Sequence, residues 1–409
     1  MLSVARSEDA VGVDLDRRTL RILVVHSHYA SGSSSGENRV VEDEVALLRA
    51  AGHHVELWSP EPATVTLRQR AGAAAGAVWN RSAVASVTAL IRDTSPDVLH
   101  VHNLFPAVSP AVLRVDIPTV VTLHNYRMLC LPAVLLRDGV VCEDCVGKLP
   151  WRGVVHRCYR GSALGSAALG TSLALHRRAG SFDRVGSFLA VSEFVREKHI
   201  QAGFDPDRIV VQPNFVQPME RRSGPGEYFL FLGRLSHEKG LDRLLPQWGD
   251  VPAKLIVVGE GEERDRLGEL ARGDVEFRGA VDPSRVSGLL GRARALVLPS
   301  ICYEGAPRTV VEAFAAGVPV IANALGGLPG VVREGSGLLV SPGDPRGWVD
   351  AANRLLDDDT ALLLGAGAHR EWQRRFSPEQ AVIGLENAYN RVIRGAEAAG
   401  TVVALDSER

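Results

Sequence analysis

Residues 295–317 read ALVLPSICYEGAPRTVVEAFAAG. A short apolar run ends at Pro299, a loop follows, and Pro307 stands where a first helical turn would begin, a position proline favours. A buried strand that feeds a helix through a loop is the building unit of doubly wound α/β sheets. Two glutamates fall on the junction eight positions apart, Glu304 in the loop and Glu312 on the second turn of the helix. The unpaired N–H groups of the helix start would face the same space as both carboxylates. N–H donors suit phosphate, and carboxylates suit sugar and ribose hydroxyls. Together they fit a nucleotide-activated sugar lying across the carboxyl ends of parallel strands.

The same rhythm runs outward from this stretch. Strand-like runs at 20–26, 55–58, 97–102, 119–123, 187–191 and 208–212 alternate with helical patterns such as 39–51 and 193–201. Residues 216–227 (VQPMERRSGPGE) hold two prolines, two glycines and four charges, the composition of a linker. Beyond it the rhythm restarts with strands at 228–232, 255–258, 275–277, 295–298 and 318–322. The expectation is α/β: two doubly wound, Rossmann-like domains facing a cleft, at 1–216 and 217–375, with a C-terminal helix in 376–409 packing back on the first. The last six residues look frayed.

At 409 residues, 45% hydrophobic and 23% charged, the chain has ample material for such cores. A net charge of −2 carries no polybasic signature, so nucleic acid is not an expected partner. The N-terminus has no apolar signal-peptide core, and the 15 residues of 161–175 are too few and too weakly apolar to span a bilayer. A cytoplasmic location follows as the expectation, with peripheral membrane contact left open.

Four of the five cysteines, Cys130, Cys142, Cys145 and Cys158, crowd into 29 residues with the spacing C-x11-C-x2-C-x12-C. In a cytosolic protein that crowding points to a metal or redox site before disulfides. Four thiolates in a loop-rich insertion fit structural zinc that pins the segment 129–160 over the cleft. Small buried hydrophobes, or a dithiol pair, are the alternatives.

Further candidates sit at strand ends. The strand 228–232 runs into Gly233-Arg234 and then LSHEKG, which carries Lys239. Gly233 admits a ligand close to the backbone. Arg234 and Lys239 would take up charge on a departing diphosphate, although a strand end with solvated charges has the same look. Gly36 opens a helix after a Gly/Ser-rich loop, a geometry that admits phosphate, or a plain surface loop. His124 follows a strand and could bond a sugar hydroxyl. His100 and His102 alternate on the neighbouring strand and should face one side. No carboxylate at matching spacing joins the histidines, so a catalytic metal is set aside. The pairs Asp14/Asp16 and Asp357/Asp359 resemble diphosphate-metal motifs, but they lie away from strand edges and read as chance.

Taken together, these residues resemble retaining glycosyltransferase family 4, of the GT-B fold, over nearly the whole chain. The carriers are Gly36-Glu37, His124-Asn125, Gln212-Pro213-Asn214, Gly233-Arg234 with Lys239-Gly240, Val258-Gly259-Glu260-Gly261, and Glu304 to Glu312 with AFAAGVPVIA after it. The resemblance implies a nucleotide diphosphate sugar donor, a UDP-sugar favoured, with no metal in catalysis and retained anomeric configuration. It implies a saccharide, cyclitol or lipid-linked acceptor on the first domain and the donor on the second. By resemblance, Arg234 and Lys239 bind the diphosphate and Glu312 holds the ribose. Glu304, with the backbone through Pro307, Arg308 and Thr309, holds the sugar. His124 touches the transferred sugar, the Gly36 N–H meets phosphate, and the base lies near Arg278 and Val281. Two positions depart from the family pattern: Ser35 replaces a glycine and Asn125 an aspartate. Cys-rich insertions of this kind resemble those of bacterial relatives. A sugar-nucleotide epimerase, or a non-catalytic nucleotide-sugar-binding protein, would share the fold.

Overall fold

The computed structural model describes residues 18–28, 36–60 and 75–400. Asp14/Asp16, Ser35 and the last six residues lie outside them. The first sheet contains β1 (Arg21–Val25), β2 (His54–Trp58), β3 (Val98–Val101), β4 (Thr119–Leu123), β7 (Ser187–Ala190) and β8 (Ile209–Val211). Between β4 and β7 lies a separate two-stranded hairpin of β5 (Leu136–Arg137) and β6 (Val140–Val141). The second sheet contains β9 (Tyr228–Leu232), β10 (Leu255–Val258), β11 (Val275–Phe277), β12 (Ala293–Leu298), β13 (Val320–Asn323) and β14 (Gly337–Val340). Every pairing in the two six-stranded sheets is parallel.

Strands such as LIVV in β10 and TVVTL in β4 are buried at every residue, because helices cover both faces of a parallel sheet. The orders are β2-β1-β3-β4-β7-β8 and β11-β10-β9-β12-β13-β14. Direction of winding therefore reverses between β1 and β3 in the first sheet, and between β9 and β12 in the second. Loops leaving the two strands at such a reversal diverge and leave a crevice at their carboxyl ends.

The chain crosses between lobes twice, and the crossings are bonded together. The Val216 N–H donates to Phe376 O at 3.2 Å, and Trp372 Nε1 donates to Val216 O at 3.1 Å. The helix Pro378–Ala398 then lies on the first sheet, where Tyr389 is fully buried with its hydroxyl 2.8 Å from His100 Nδ1.

Some elements differ from the sequence reading. Within 161–175, residues from Ala163 on belong to a helix, Ala163–Arg178, whose buried Ser166, Gly170 and Ser172 let neighbours approach. A Cβ on Gly170 would stand 3.0 Å from Val154 Cγ2. The edge strand β14 and the hairpin were not expected, since both are partly exposed and lack a buried run. Pro307 is extended (φ −62°, ψ 128°), one residue before the helix Arg308–Ala315, rather than inside its first turn.

Candidate functional site

The second-sheet crevice is built by a backbone crossing. After β9 the chain passes Gly233 and Arg234 into a turn at His237–Lys239, which ends at Gly240 with φ +69°. A Cβ on Gly240 would stand 2.1 Å from the Pro299 carbonyl oxygen, so only glycine allows the two loops to cross there. The Ile301 N–H donates to Glu238 O at 3.0 Å and fixes the crossing. Lys239 is thereby set against Glu304, with Nζ donating to Oε1 at 2.7 Å, and Ser300 Oγ donates to the same oxygen at 2.7 Å. Burial alone would push the Glu304 carboxyl up, but the Lys239 ammonium and Ser300 hydroxyl hold it below its ordinary value. Burial also works against the Lys239 charge, and Glu304 outweighs it, leaving that pKa raised.

Arg234 is the exposed cation of the set. Its side chain is 68% exposed and reaches Glu238 Oε1 at 2.7 Å, an exposed pairing that costs little to exchange. Gly259, at φ +141°, would put a Cβ 1.8 Å from Gly233 O, so the β9 and β10 loops also touch. Arg278 and half-buried Val281 follow β11 at the sheet edge, and Arg278 Nε donates to Glu276 Oε1 at 2.7 Å.

Glu312 has a partner within the chain. Arg308 Nε donates to its Oε1 at 2.8 Å, while Arg308 Nη1 lies 2.6 Å from Asp43 Oδ2 on the first-lobe helix Gly36–Ala50. Burial still raises the Glu312 pKa, against the pull of Arg308. Pro307 and Thr309 flank Arg308 at the helix start, and both are half-buried. The structure thus joins Lys239 to Glu304 and Glu312 to Arg308. It leaves Arg234 on the rim and Arg278 and Val281 two strands away.

Across the cleft, His26 and His102 follow the two switch strands β1 and β3, and His124 follows β4. His102 Nδ1 lies 2.8 Å from His124 Nε2. His100 and His102 do face one side, and the carboxylate missing from the local spacing is there. Glu44, from the helix Gly36–Ala50, places Oε1 3.1 Å from His100 Nδ1 and 3.3 Å from His102 Nε2. That corrects the sequence reading, in which no carboxylate joined the histidines; the helix brings one in from more than fifty positions away. Among the described residues these three are the group whose ligand atoms lie within 4.8 Å of one another. Burial lowers the His124 pKa to about 4 and that of His26 to about 3. Burial would raise Glu44, yet His102 and His100 hold it below the carboxylate range.

Gly36 is the exposed first residue of that helix, with no atom within 4 Å of where a Cβ would stand. Beside it, Glu37 Oε1 accepts from Asn125 Nδ2 at 2.7 Å, and buried Oε2 has no hydrogen-bond partner among the described residues. An aspartate at 125 would set two carboxylates against each other, so the amide there has a local reason. Asp357, by contrast, caps the helix Asp358–Glu371 by accepting from the Thr360 N–H at 2.8 Å. The reading from sequence missed Glu44, Asp43 and His26. Their signal was available in part: Glu37 and Glu44 are seven apart on one helix and share a face.

Residues 34–220 match the family described as Glycosyltransferase Family 4, and residues 226–358 match Glycosyl transferases group 1. An uncharacterized glycosyltransferase of Methanocaldococcus jannaschii is 34% identical over 39% of this chain and 45% of its own length. The chain therefore spans less than half of that relative. The 2-deoxystreptamine glucosyltransferase of Streptomyces kanamyceticus is 26% identical over 78% of this chain and 83% of its own. The solved structure of Anabaena HepE in complex with UDP-glucose superposes with a TM-score of 0.60 at 17% identity, covering 92% of this chain and all of that one. The fold is GT-B. Among the described residues, no helix is long and apolar enough to cross a membrane.

Proposed function

We propose that this chain, a member of the GT-B glycosyltransferase superfamily, moves a hexosyl or N-acetylhexosaminyl group from a nucleotide diphosphate sugar to a hydroxyl of a saccharide, cyclitol or lipid-linked acceptor. The observation that carries the reading is the Lys239–Glu304 pair, held by a glycine crossing at the switch point of the second sheet. A diphosphate entering there meets a fixed ammonium, and Arg234 can exchange Glu238 for phosphate at small cost. The donor then binds in that crevice, with Glu304 on the sugar and Glu312 sharing Arg308 with the ribose. The acceptor enters opposite, where Glu37, Asn125 and His124 offer a buried carboxylate oxygen, an amide and a neutral imidazole. A UDP-sugar is the first donor to try, as HepE was solved with UDP-glucose. The relative acting on 2-deoxystreptamine supports a cyclitol among the acceptors.

The transfer retains configuration. No carboxylate is placed as a covalent nucleophile in this reading. The leaving phosphate accepts the proton of the attacking hydroxyl on the face it departs from, and the cations absorb its growing charge. Their stabilisation is larger in the transition state than in the bound donor. Arg234→Ala should accordingly lower kcat by about 10²–10³-fold while changing donor affinity far less. A thermal-shift panel of UDP-, GDP-, ADP- and dTDP-sugars identifies the donor, and steady-state kinetics with it measures the variant. An unchanged kcat with weakened donor binding refutes the leaving-group role. Conversion of donor without any acceptor, followed by NMR, would make the protein an epimerase instead.

A further inference from the structure

The transfer leaves the cysteine segment unused. Residues 129–160 form the small hairpin β5–β6 and the short helix Trp151–Val155, with Val140, Leu149, Trp151 and Val155 exposed. Leu129, Leu131 and Leu135 anchor the start of the segment in the main core, whereas the hairpin and short helix beyond them are partly exposed. The segment's four cysteines arrive from three places: Cys130 before the hairpin, Cys142 and Cys145 after it, and Cys158 beyond the short helix. All four are free thiols, and all four line one cavity of about 20 Å³.

That volume holds one water or one ion. Apart from Arg137 the remaining wall is Leu131, Pro132, Leu135, Leu136 and Gly153, which offers a water few partners. The sulfurs are oriented by backbone donors. Cys130 accepts from the Leu135 and Ala133 N–H groups, and Cys145 from that of Gly153. Burial nonetheless raises the Cys130, Cys145 and Cys158 thiols, so the case for a metal stands on the four sulfurs lining one cavity. We infer that Cys130, Cys142, Cys145 and Cys158 hold one structural zinc ion.

Among the described residues no three of these sulfurs stand within 4.8 Å of one another. Four sulfurs at about 2.3 Å from a common ion would lie about 3.8 Å apart, so a bound zinc must draw the cavity walls inward. The segment so fastened reaches across the cleft. Gly139, at the hairpin tip, accepts from Arg243 Nη2 at 3.1 Å, and a Cβ on it would stand 3.1 Å from His237 Nε2. Glu143, between two of the cysteines, accepts from Lys198 Nζ at 2.8 Å and from the Tyr303 hydroxyl. His237 belongs to the turn carrying Lys239, and Tyr303 adjoins Glu304. The zinc therefore fixes a strap that touches both loops of the second-sheet crevice.

The test uses the full chain, purified reduced and without chelator, with metal counted by mass spectrometry. One zinc ion per chain is expected. Cys142→Ser and Cys145→Ser should lose it, and Cys302→Ser should keep it. Cobalt exchanged into the unaltered protein should give the thiolate-to-metal charge-transfer band of a tetrahedral sulfur site, so a poorly folding variant does not decide the matter. Three results overturn the inference: neither zinc nor the cobalt band in the unaltered protein; zinc that survives Cys142→Ser, which would assign it to Glu44, His100 and His102; or an intact mass two hydrogens lighter per cysteine pair, which would mean disulfides. None of these measurements uses glycosyl transfer, so either reading can fail alone.

Discussion

Glu44 decides which proton His124 carries. A carboxylate only accepts, so the imidazole nitrogen turned toward it, His102 Nε2, is best protonated. The 3.3 Å separation, without hydrogen-bond alignment, makes this a charge contact; Glu44 Oε1 also lies 3.1 Å from His100 Nδ1, which is bonded to the Tyr389 hydroxyl, and neither Oε1 nor His102 Nε2 has a hydrogen-bond partner among the described residues. With its proton on Nε2, neutral His102 presents a bare Nδ1, and His124 Nε2 must donate to it across 2.8 Å. His124 Nδ1 is then a lone-pair acceptor, suited to a hydroxyl of sugar or acceptor. Glu44→Gln removes the bias, because an amide can donate as well as accept. The expected effect is a fall in kcat of about 10²-fold, the lower range for a positioned acid–base group, with donor affinity unchanged. Nitrogen-15 chemical shifts of His124 should show Nε2–H in the unaltered protein and a mixture in the variant; an unaltered tautomer with reduced kcat would make Glu44 merely structural. His124 was legible in the sequence because a strand announces its own end. Glu44 was not, because a helix contributes it from elsewhere and local spacing cannot record that contact.

At the scale of elements, the glycines at loop crossings hold the site together more than any strand does. Gly240 combines a left-handed φ of +69° with a backbone oxygen 2.1 Å from its missing Cβ. Gly240→Ala would impose roughly 1–2 kcal/mol from the conformation alone, and the clash with Pro299 must then part the two loops. Lys239 and Glu304 sit on opposite sides of that parting. Loss of thermal stability should come with a drop in kcat, read by melting and by kinetics at saturating donor. A variant as stable and as active as the parent would show that the crossing does not position Lys239. Buried strands such as 228–232 and 255–258 were legible to the residue, since a parallel strand covered on both faces is apolar throughout. The edge strand β14 and the cysteine hairpin were not, since half-exposed backbone carries no such run. The Gly/Ala/Ser helix Ala163–Arg178 hid for a related reason: its packing depends on small residues rather than on an apolar stripe.

At the scale of the whole molecule, the polar ties between the lobes among the described residues follow no sequence pattern. Asp43–Arg308 and Glu143–Tyr303 each join residues more than a hundred positions apart. The alternation of strands announces two lobes but not which side chains touch between them. Burial of histidine is the property of the assembled molecule that a simple measurement reaches. Burial lowers His26 to about 3, His124 to about 4 and His199 to about 4. An exposed histidine in the unfolded chain titrates near about 6.5. Above that pH neither state binds the proton, and the full stability is present. As pH falls from about 6.5 toward 4, the unfolded chain takes protons that the folded chain refuses, so stability falls by about 1.4 kcal/mol per pH unit for each such group. Glu304, held below its ordinary value, is lost in the same direction at the acid end, while the raised Glu312 opposes it. The melting temperature should therefore be level from about pH 8 to 7 and decline steadily below about 6.5. A melting temperature constant down to pH 5 would mean these imidazoles are protonated in the folded state, and the neutral His124 assigned to the acceptor side would fall with it.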